Sequence, residues 1–444
     1  MSSFLLRFFK ALLPAPFTIA VLLTVLTFVL AYLLGSNQLS PIDLLIHWEK
    51  GLWNGPLLVF AMQMMLMLVL GHVLALSPLV GQYIDKATQL CHDTASAAAW
   101  VTLLTLLVSF FNWGLGLVFG AIFARKVGES CSQKNIPLNY PLIGAAGYSG
   151  LMVWHGGISG SAPIKIAEKG HFLESQMGVI PQSETIFSSM NLTVSLVLLV
   201  ILPLFMYFLG KKSEKRFTPL KVQSFQPATQ EGIKGADKLN HSKVLAFFFG
   251  GIILMYCIYK ALLLPEKVTL SFITPNFINL FLLGLGIVCH TNFDRFLNAV
   301  NRAIGGASGI LIQFPLYFGI MGLMNHSGLV TIFSDFFVSI SNANTFPIYA
   351  FFSAGIVNVF VPSGGGQWGV QGPIIIEAAN QLNVPYWKAV MAMAYGDQIT
   401  NMLQPFWALP LLGITGLKAK EILPYSILLM VIGTLLFIGG LLIF

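Results

Sequence analysis

Residues 354–376 read AGIVNVFVPSGGGQWGVQGPIII, and residues 389–410, after a short polar gap, read AVMAMAYGDQITNMLQPFWALP. Both stretches are apolar enough to lie in lipid, and both are broken at their middle by residues that lipid does not tolerate. Pro362-Ser363-Gly364-Gly365-Gly366 cannot continue a helix, because proline lacks an N–H and three glycines leave the backbone loose. Asp397, Gln398, Asn401 and Gln404-Pro405 put a carboxylate, three amides and a helix breaker inside an apolar span. Non-helical backbone at membrane depth is tolerated only where it is packed in protein or lines a watery cavity. Two adjacent interrupted segments therefore mark a candidate binding site of a secondary transporter.

The rest of the chain supports a membrane setting. Only 9% of its 444 residues are charged and 56% are hydrophobic, against about 25% charged in soluble domains. The net charge of +7 is a topology signal, not a nucleic-acid signal. Eight Lys/Arg lie between Lys211 and Lys243 against Glu214, Glu231 and Asp237, and basic loops stay cytoplasmic. Cys91, Cys131, Cys257 and Cys289 show no metal spacing and none is expected in an outside loop, so no disulfide is expected. Arg7 and Lys10 precede the apolar run from Phe17 to Leu34, which is read as an uncleaved first helix.

Apolar spans fall at 17–35, 56–79, 191–209, 244–264, 271–290, 304–325 and 421–444. The segments Ser40 to Trp53 and Thr331 to Ser341 read as interfacial. Two long apolar regions are interrupted, 97–163 and 346–415, and they resemble each other. Asn112 and Asn358 stand at an offset that Gly120 and Gly366 share, and Tyr148/Tyr395 and Pro163/Pro410 follow one residue further. The order helix, hairpin, broken helix, helix occurs twice. With Arg7 and Lys10 inside, the basic loops at 86, 125–134, 211–243, 295–302 and 418–420 all fall inside if the two repeats are inverted. Two full crossings per hairpin give the same parity, so charge alone does not establish re-entrance.

The expected fold is an all-α polytopic membrane protein. It has two inverted repeats, each with a re-entrant hairpin and a broken transmembrane helix, and about 9–11 membrane spans plus hairpins. Residues 1–210 form the first repeat, with hairpin 97–125 and broken helix 140–163. A cytoplasmic basic linker covers 211–243 and a connecting helix 244–264. Residues 265–444 form the second repeat, with hairpin 346–380 and broken helix 386–415. The N-terminus is expected in the cytoplasm and the C-terminus in the periplasm.

Helix ends at a hairpin tip leave N–H groups that attract carboxylates and C=O groups that coordinate cations. The candidate substrate-binding residues are Asn112, Trp113 and Gly114 at the first tip, and Trp154, His155, Gly157, Ser159 and Ser161 in the first broken helix. In the second repeat they are Asn358, Ser363, Gly364, Gly365, Gly366, Gln367 and Gln404. Trp368 and Phe406 are further candidates for the substrate tail. Asp397, Asn112, Asn358 and Asn401 are the candidates for a coupling ion, either H⁺ or Na⁺. A bare carboxylate at a helix centre costs about 2.5–3.5 kcal/mol, so Asp397 must pair, bind a cation or carry a proton. His155 reads either as a proton carrier or as a packed neutral imidazole. Lys165 is expected at the outer boundary, snorkelling. The methionine-rich run Met62 to Met67 reads as core or lipid-facing, with no metal site.

Enzyme motifs are absent. Residues 157–161 fail G-x-S-x-G because position 161 is serine, Gly114, Gly116 and Gly120 lack the spacing of a dinucleotide loop, and no Walker A or HExxH occurs. No cofactor and no nucleic-acid partner are expected.

With those residues in view, the chain resembles the short-chain fatty acid transporter family. The resemblance runs nearly end to end. It is sharpest in Phe111 to Arg125, Gly156 to Pro163, Ile310 to Ile320, Thr345 to Gly355, Val361 to Pro373 and Ala394 to Pro410. It implies uptake or exchange of short monocarboxylates such as acetoacetate and butyrate across a bacterial inner membrane. At fold level the chain looks like the wider ion transporter superfamily, which implies elevator motion coupled to Na⁺ or H⁺. Fold analogy alone suggests a homodimer. A cation antiporter or dicarboxylate carrier of the same fold, and a membrane subunit that does not itself transport, are the other classes. A dicarboxylate needs more fixed positive charge than this core offers.

Overall fold

The structure, a computed structural model, describes residues 15–213, 220, 235–264 and 270–444, with Pro405 and Phe406 described in backbone only. Arg7, Lys10 and most of the expected linker 211–243 lie outside the described residues, as does the side chain of Phe406. The described chain is built of helices. In order they are α1 (Pro16–Leu34), α2 (Pro41–Leu52), α3 (Gly55–Ala75), α4 (Pro78–Ala87), α5 (Thr94–Phe111), α6 (Trp113–Gln133), α7 (Tyr140–Tyr148) and the short α8 (Ser161–Lys165). Then come α9 (Ser189–Lys212), α10 (Lys243–Ile258), α11 (Pro275–His290), α12 (Phe293–Ala303), α13 (Ser308–Ser327) and α14 (Leu329–Ile340). The last five are α15 (Phe346–Phe360), α16 (Gly364–Gln381), α17 (Tyr386–Thr400), α18 (Pro405–Thr415) and α19 (Ala419–Ile443).

Among the described residues, seven helices are long and apolar enough to cross a membrane, so the chain is a multi-pass membrane protein. Their outer faces carry large exposed apolar residues, such as Leu33 on α1, Leu196 on α9, Phe248 on α10 and Leu435 on α19. In a bilayer these faces contact lipid rather than water.

Local chemistry sets the boundaries. The expected span 56–79 ends at Ala75, because Ser77 caps a new helix whose first residue is Pro78. The expected interfacial segment after Ser40 is α2, closed by a capping box between Ser40 and Asp43. The span 271–290 shortens to 16 residues in α11. Helix α12 was not anticipated, because its apolar Phe296, Ala299 and Ala303 are spaced for one buried stripe among charges.

The helix pair α5–α6 folds back on itself at Asn112. A Cβ placed on Gly116 would meet Ser109 and one on Gly120 would meet Thr105, which is the register of a tight antiparallel hairpin. The pair α15–α16 turns at residues 361–363, and Gln367 Nε2 donates to the Ala354 carbonyl across the two arms. The first hairpin is longer than expected, running 94–133 rather than 97–125. Each hairpin is followed by an interrupted helix. In the second, α17 gives way to a 3-10 turn at Asn401–Leu403 and resumes after Gln404. In the first, α7 and a 3-10 turn end at Met152, and residues 153–160 are unwound before α8. The first interruption is long because Gly156, Gly157 and Gly160 pack against carbonyls or side-chain oxygens that leave no room for a Cβ.

Candidate functional site

The two hairpin tips are capped alike and finished differently. At the first, Asn112 Oδ1 accepts from the Leu115 amide at 2.8 Å, and the Trp113 amide donates to Ser159 Oγ at 3.0 Å. At the second, Ser363 Oγ accepts from the Gly366 amide at 3.3 Å. The amides of Gly364 and Gly365 have no hydrogen-bond partner among the described residues. The open N-terminus of α16 is therefore the end that offers unpaired N–H groups and a positive partial charge to an anion.

A narrow cavity of about 20 Å³, room for roughly one water-sized guest, lies against this end. Ser363, Gly364 and Gly365 line it from the second tip, Trp113 from the first, Trp154 and Ser161 from the first broken helix, and Asn401 from the second. Met64, Leu151, Ile310, Phe314 and Trp407 complete its wall. The ring centroids of Trp113 lie 5.7 Å from Trp154 and 5.5 Å from Trp407. One end is thus polar, with backbone N–H and hydroxyl groups, and the rest is aromatic and aliphatic. The lining suits a small molecule with a carboxylate head and a short apolar tail, for which the cavity has to widen beyond its volume in this structure.

Directly behind Gly364 lies an ionisable pair. His155 and Asp397 are fully buried, and His155 Nδ1 is 2.5 Å from Asp397 Oδ2. The Ala162 amide donates to His155 Nε2 at 3.1 Å. That nitrogen therefore carries a lone pair, and the ring proton sits on Nδ1, facing the carboxylate. Trp154 stacks on the imidazole, with centroids 4.5 Å apart, and fixes its plane. Asp397 Oδ1 has no hydrogen-bond partner among the described residues. With a neutral imidazole the pair bears one negative charge, and the arrangement suits one monovalent cation, H⁺ or Na⁺.

The amides around the second break are tied to each other. Asn358 Nδ2 donates to the Asp397 carbonyl at 2.6 Å, to Thr400 Oγ1 at 2.8 Å and to Asn401 Oδ1 at 3.1 Å. Gln404 Nε2 donates back to the Asn358 carbonyl. Asn358 Oδ1 and Gln404 Oε1 have no partner among the described residues. The Asn112 oxygen, expected to face a cation, is engaged as the helix cap, and its Nδ2 is the atom without a partner.

Of the residues singled out in the sequence, Trp113, Trp154, Ser161, Ser363, Gly364, Gly365 and Asn401 line the cavity. His155 and Asp397 stand immediately behind it. Gly114 packs on the Leu68 backbone, Gly157 on Phe110 and Gly366 on the Tyr317 ring, so these glycines serve close packing. Ser159 is spent on the first tip and Gln367 on the arms of the second hairpin. Trp368 is fully buried and packs on Phe172 instead of the cavity, and Trp407 takes the tail-side position. Lys165 does not snorkel to the surface of the chain. It is 3% exposed, with Nζ 2.6 Å from Glu168 Oε2 and 3.3 Å from Gln63 Oε1. Met64, Ile310 and Phe314 were missed because apolar residues on apolar helices carry no local mark that separates a binding wall from a lipid face.

The family description "Short chain fatty acid transporter" matches residues 1–444. The chain belongs to the short-chain fatty acid transporter family. Relatives of the family in Escherichia coli (strain K12) and Haemophilus influenzae, both provisionally named as short-chain fatty acid transporters, are 37% and 36% identical to it. They match over 100% and 99% of this chain and 99% and 98% of their own length. The family is one of transporters, not enzymes. Among solved structures, the Alcanivorax borkumensis YdaH transporter, reported to have an unusual topology, superposes with a TM-score of 0.62 at 14% identity over 97% of both chains. Neisseria gonorrhoeae MtrF, of a class of antimetabolite efflux pumps, gives 0.55 at 13% identity over 96% of this chain and 95% of its own. At that identity the likeness is one of fold.

Proposed function

We propose that this chain carries short-chain monocarboxylates, such as acetoacetate and butyrate, across a bacterial inner membrane together with one monovalent cation. The observation that carries the reading is the second tip. There the unpaired amides of Gly364 and Gly365 face a cavity with aromatic and aliphatic walls, and the His155–Asp397 pair lies directly behind them. The carboxylate is held by the α16 N-terminus, Ser363 and Ser161, and the tail lies among Trp113, Trp407 and Met64. A single unpaired backbone terminus, with no Lys or Arg among the described residues that line the cavity, suits one carboxylate better than two.

The cation is a proton held by Asp397. Protonation at the unpartnered Oδ1 makes the pair neutral while leaving the His155 hydrogen bonds intact. Sodium is the second reading, favoured by the unpartnered oxygens of Asn358 and Gln404 close to the same helix break. The two hairpins enter the membrane from opposite faces as inverted repeats, and alternating access moves the hairpin and broken-helix units against the remaining helices.

The test is uptake of labelled butyrate or acetoacetate by proteoliposomes that hold this chain alone, with protein-free liposomes subtracted because the neutral acids leak through lipid. The expected result is saturable uptake that unlabelled acetoacetate inhibits and succinate does not. Uptake no faster than in protein-free liposomes, for every short monocarboxylate tried, overturns the proposal.

A further inference from the structure

Lys165 is a buried cation that the central site does not use. It follows the first unwound segment, and its Nζ lies 5.5 Å from the centroid of the Phe60 ring. Around it, donors from three separate parts of the chain meet on one carboxylate, that of Glu168. Lys165 Nζ approaches at 2.6 Å, and Gln63 Nε2 on α3 at 3.1 and 3.3 Å. Asn276 Nδ2, at the start of α11, approaches at 3.4 Å. An ammonium and two amides aimed at one carboxylate form a carboxylate receptor by any chemical measure.

The carboxylate that fills it reaches the surface of the chain. Glu168 lies in a turn rather than a helix, its side chain is 17% exposed, and Gly170 just beyond adopts φ +79°. Asn276 is exposed, so the receptor reaches the surface of the chain. On its other side a single ring separates it from the central cavity. Phe60 lies 6.4 Å, centroid to centroid, from Phe314 of the cavity wall, and its Cε1 is 3.2 Å from the point where a Cβ on Gly365 would stand.

We propose that Lys165, Gln63 and Asn276 form a second, outlying binding site for monocarboxylates, filled in this structure by the Glu168 side chain. A substrate carboxylate displaces Glu168 into solvent, pairs with Lys165, and reaches the Gly364–Gly365 amides when the Phe60 ring turns aside. Glu168 is then an internal competitor that holds the site closed when no substrate is present. The inference rests on monocarboxylate transport by this chain and adds a way-station to it.

Glu168→Gln and the double variant Lys165→Met/Glu168→Gln separate this role from that of an ordinary ion pair. The double variant leaves no buried charge alone, so it tests the site without the folding defect that Lys165→Met by itself invites. KM for butyrate uptake and equilibrium binding of labelled butyrate to the purified protein are both measured, per amount of protein that elutes monodisperse. Removing the competitor lowers KM and tightens binding in Glu168→Gln. Removing the ammonium as well raises KM about tenfold above that variant, the loss of one charge-assisted hydrogen bond, with Vmax little changed. KM unchanged or raised in Glu168→Gln, or no rise on adding Lys165→Met, overturns the proposal. If the wild type shows no saturable uptake, the transport reading has failed instead, and the binding measurement still decides the outlying site by the same two shifts.

Discussion

His155 and Asp397 are 242 residues apart in sequence and 2.5 Å apart in space, with Nδ1 of one facing Oδ2 of the other in a fully buried pair. The contact joins the unwound segment after the first hairpin to the broken helix after the second. The pair stands against Gly364, whose added Cβ would stand 2.7 Å from His155 Cε1 and 3.0 Å from Asp397 Oδ2. Under the proposed function, cation and substrate head lie on either side of this one residue of backbone.

The two members of the pair are expected to fail differently. Asp397→Asn keeps the shape and a hydrogen bond to His155, so the protein folds, but it cannot take the cation. Coupled uptake falls by two orders of magnitude or more, with little change in thermal unfolding. His155→Leu leaves a carboxylate buried without its donor, which costs about 3–5 kcal/mol, and the unfolding temperature in detergent drops sharply.

The tip glycines allow a graded steric test. In Gly364→Ala the methyl group meets Trp154 at 2.6 Å as well as His155, and in Gly365→Ala it meets Phe314 at 3.0 Å and Phe60 at 3.2 Å. Uptake is expected to be lost in the first and reduced in the second. Gly413→Ala has nothing within 4 Å of the new methyl group. It is expected to leave uptake unchanged and to raise stability by up to about 1 kcal/mol through helix propensity.

Asn112 is expected to act through the fold of the first hairpin. Asn112→Ala removes the cap on Leu115 and costs about 1 kcal/mol, read as a lower unfolding temperature. Asn112→Ser restores an equivalent cap, and with it most of the stability.

Met64 lines the apolar part of the cavity, and under the proposed pose it limits the length of tail that fits. Met64→Ala is expected to admit hexanoate. Each buried methylene is worth about 0.8 kcal/mol, so the two that distinguish hexanoate from butyrate improve its inhibition constant more than tenfold. Competition against labelled butyrate uptake measures this.

The features legible in the sequence were those with a local cause. Asn112, Pro362-Ser363 and Gln404-Pro405 stand where the chain leaves one helix and starts the next, whereas Gly364–Gly366, expected to break the helix, form the first turn of α16. The broken helix expected at 386–415 spans Tyr386–Thr400 and Pro405–Thr415. What the sequence hid were long-range partners. The snorkelling expected of Lys165 followed from its neighbours in the chain, whereas the ammonium is buried on Glu168, three residues on, with Gln63, 102 residues earlier, as a second partner. The pairing of Asp397 with His155 depends on which face of an unwound segment meets which turn of α17, and no local periodicity specifies that.

The most direct measurement is the initial rate of butyrate uptake into proteoliposomes under an inward proton gradient and, separately, an inward sodium gradient, for the wild type and for Asp397→Asn. The account predicts that the proton gradient accelerates wild-type uptake and leaves the variant at the protein-free rate. Acceleration by sodium alone transfers the role to the unpartnered Asn358 and Gln404 oxygens near the same helix break. Equal gradient-driven uptake in the wild type and Asp397→Asn would contradict the claim that this pair couples the cation to the substrate.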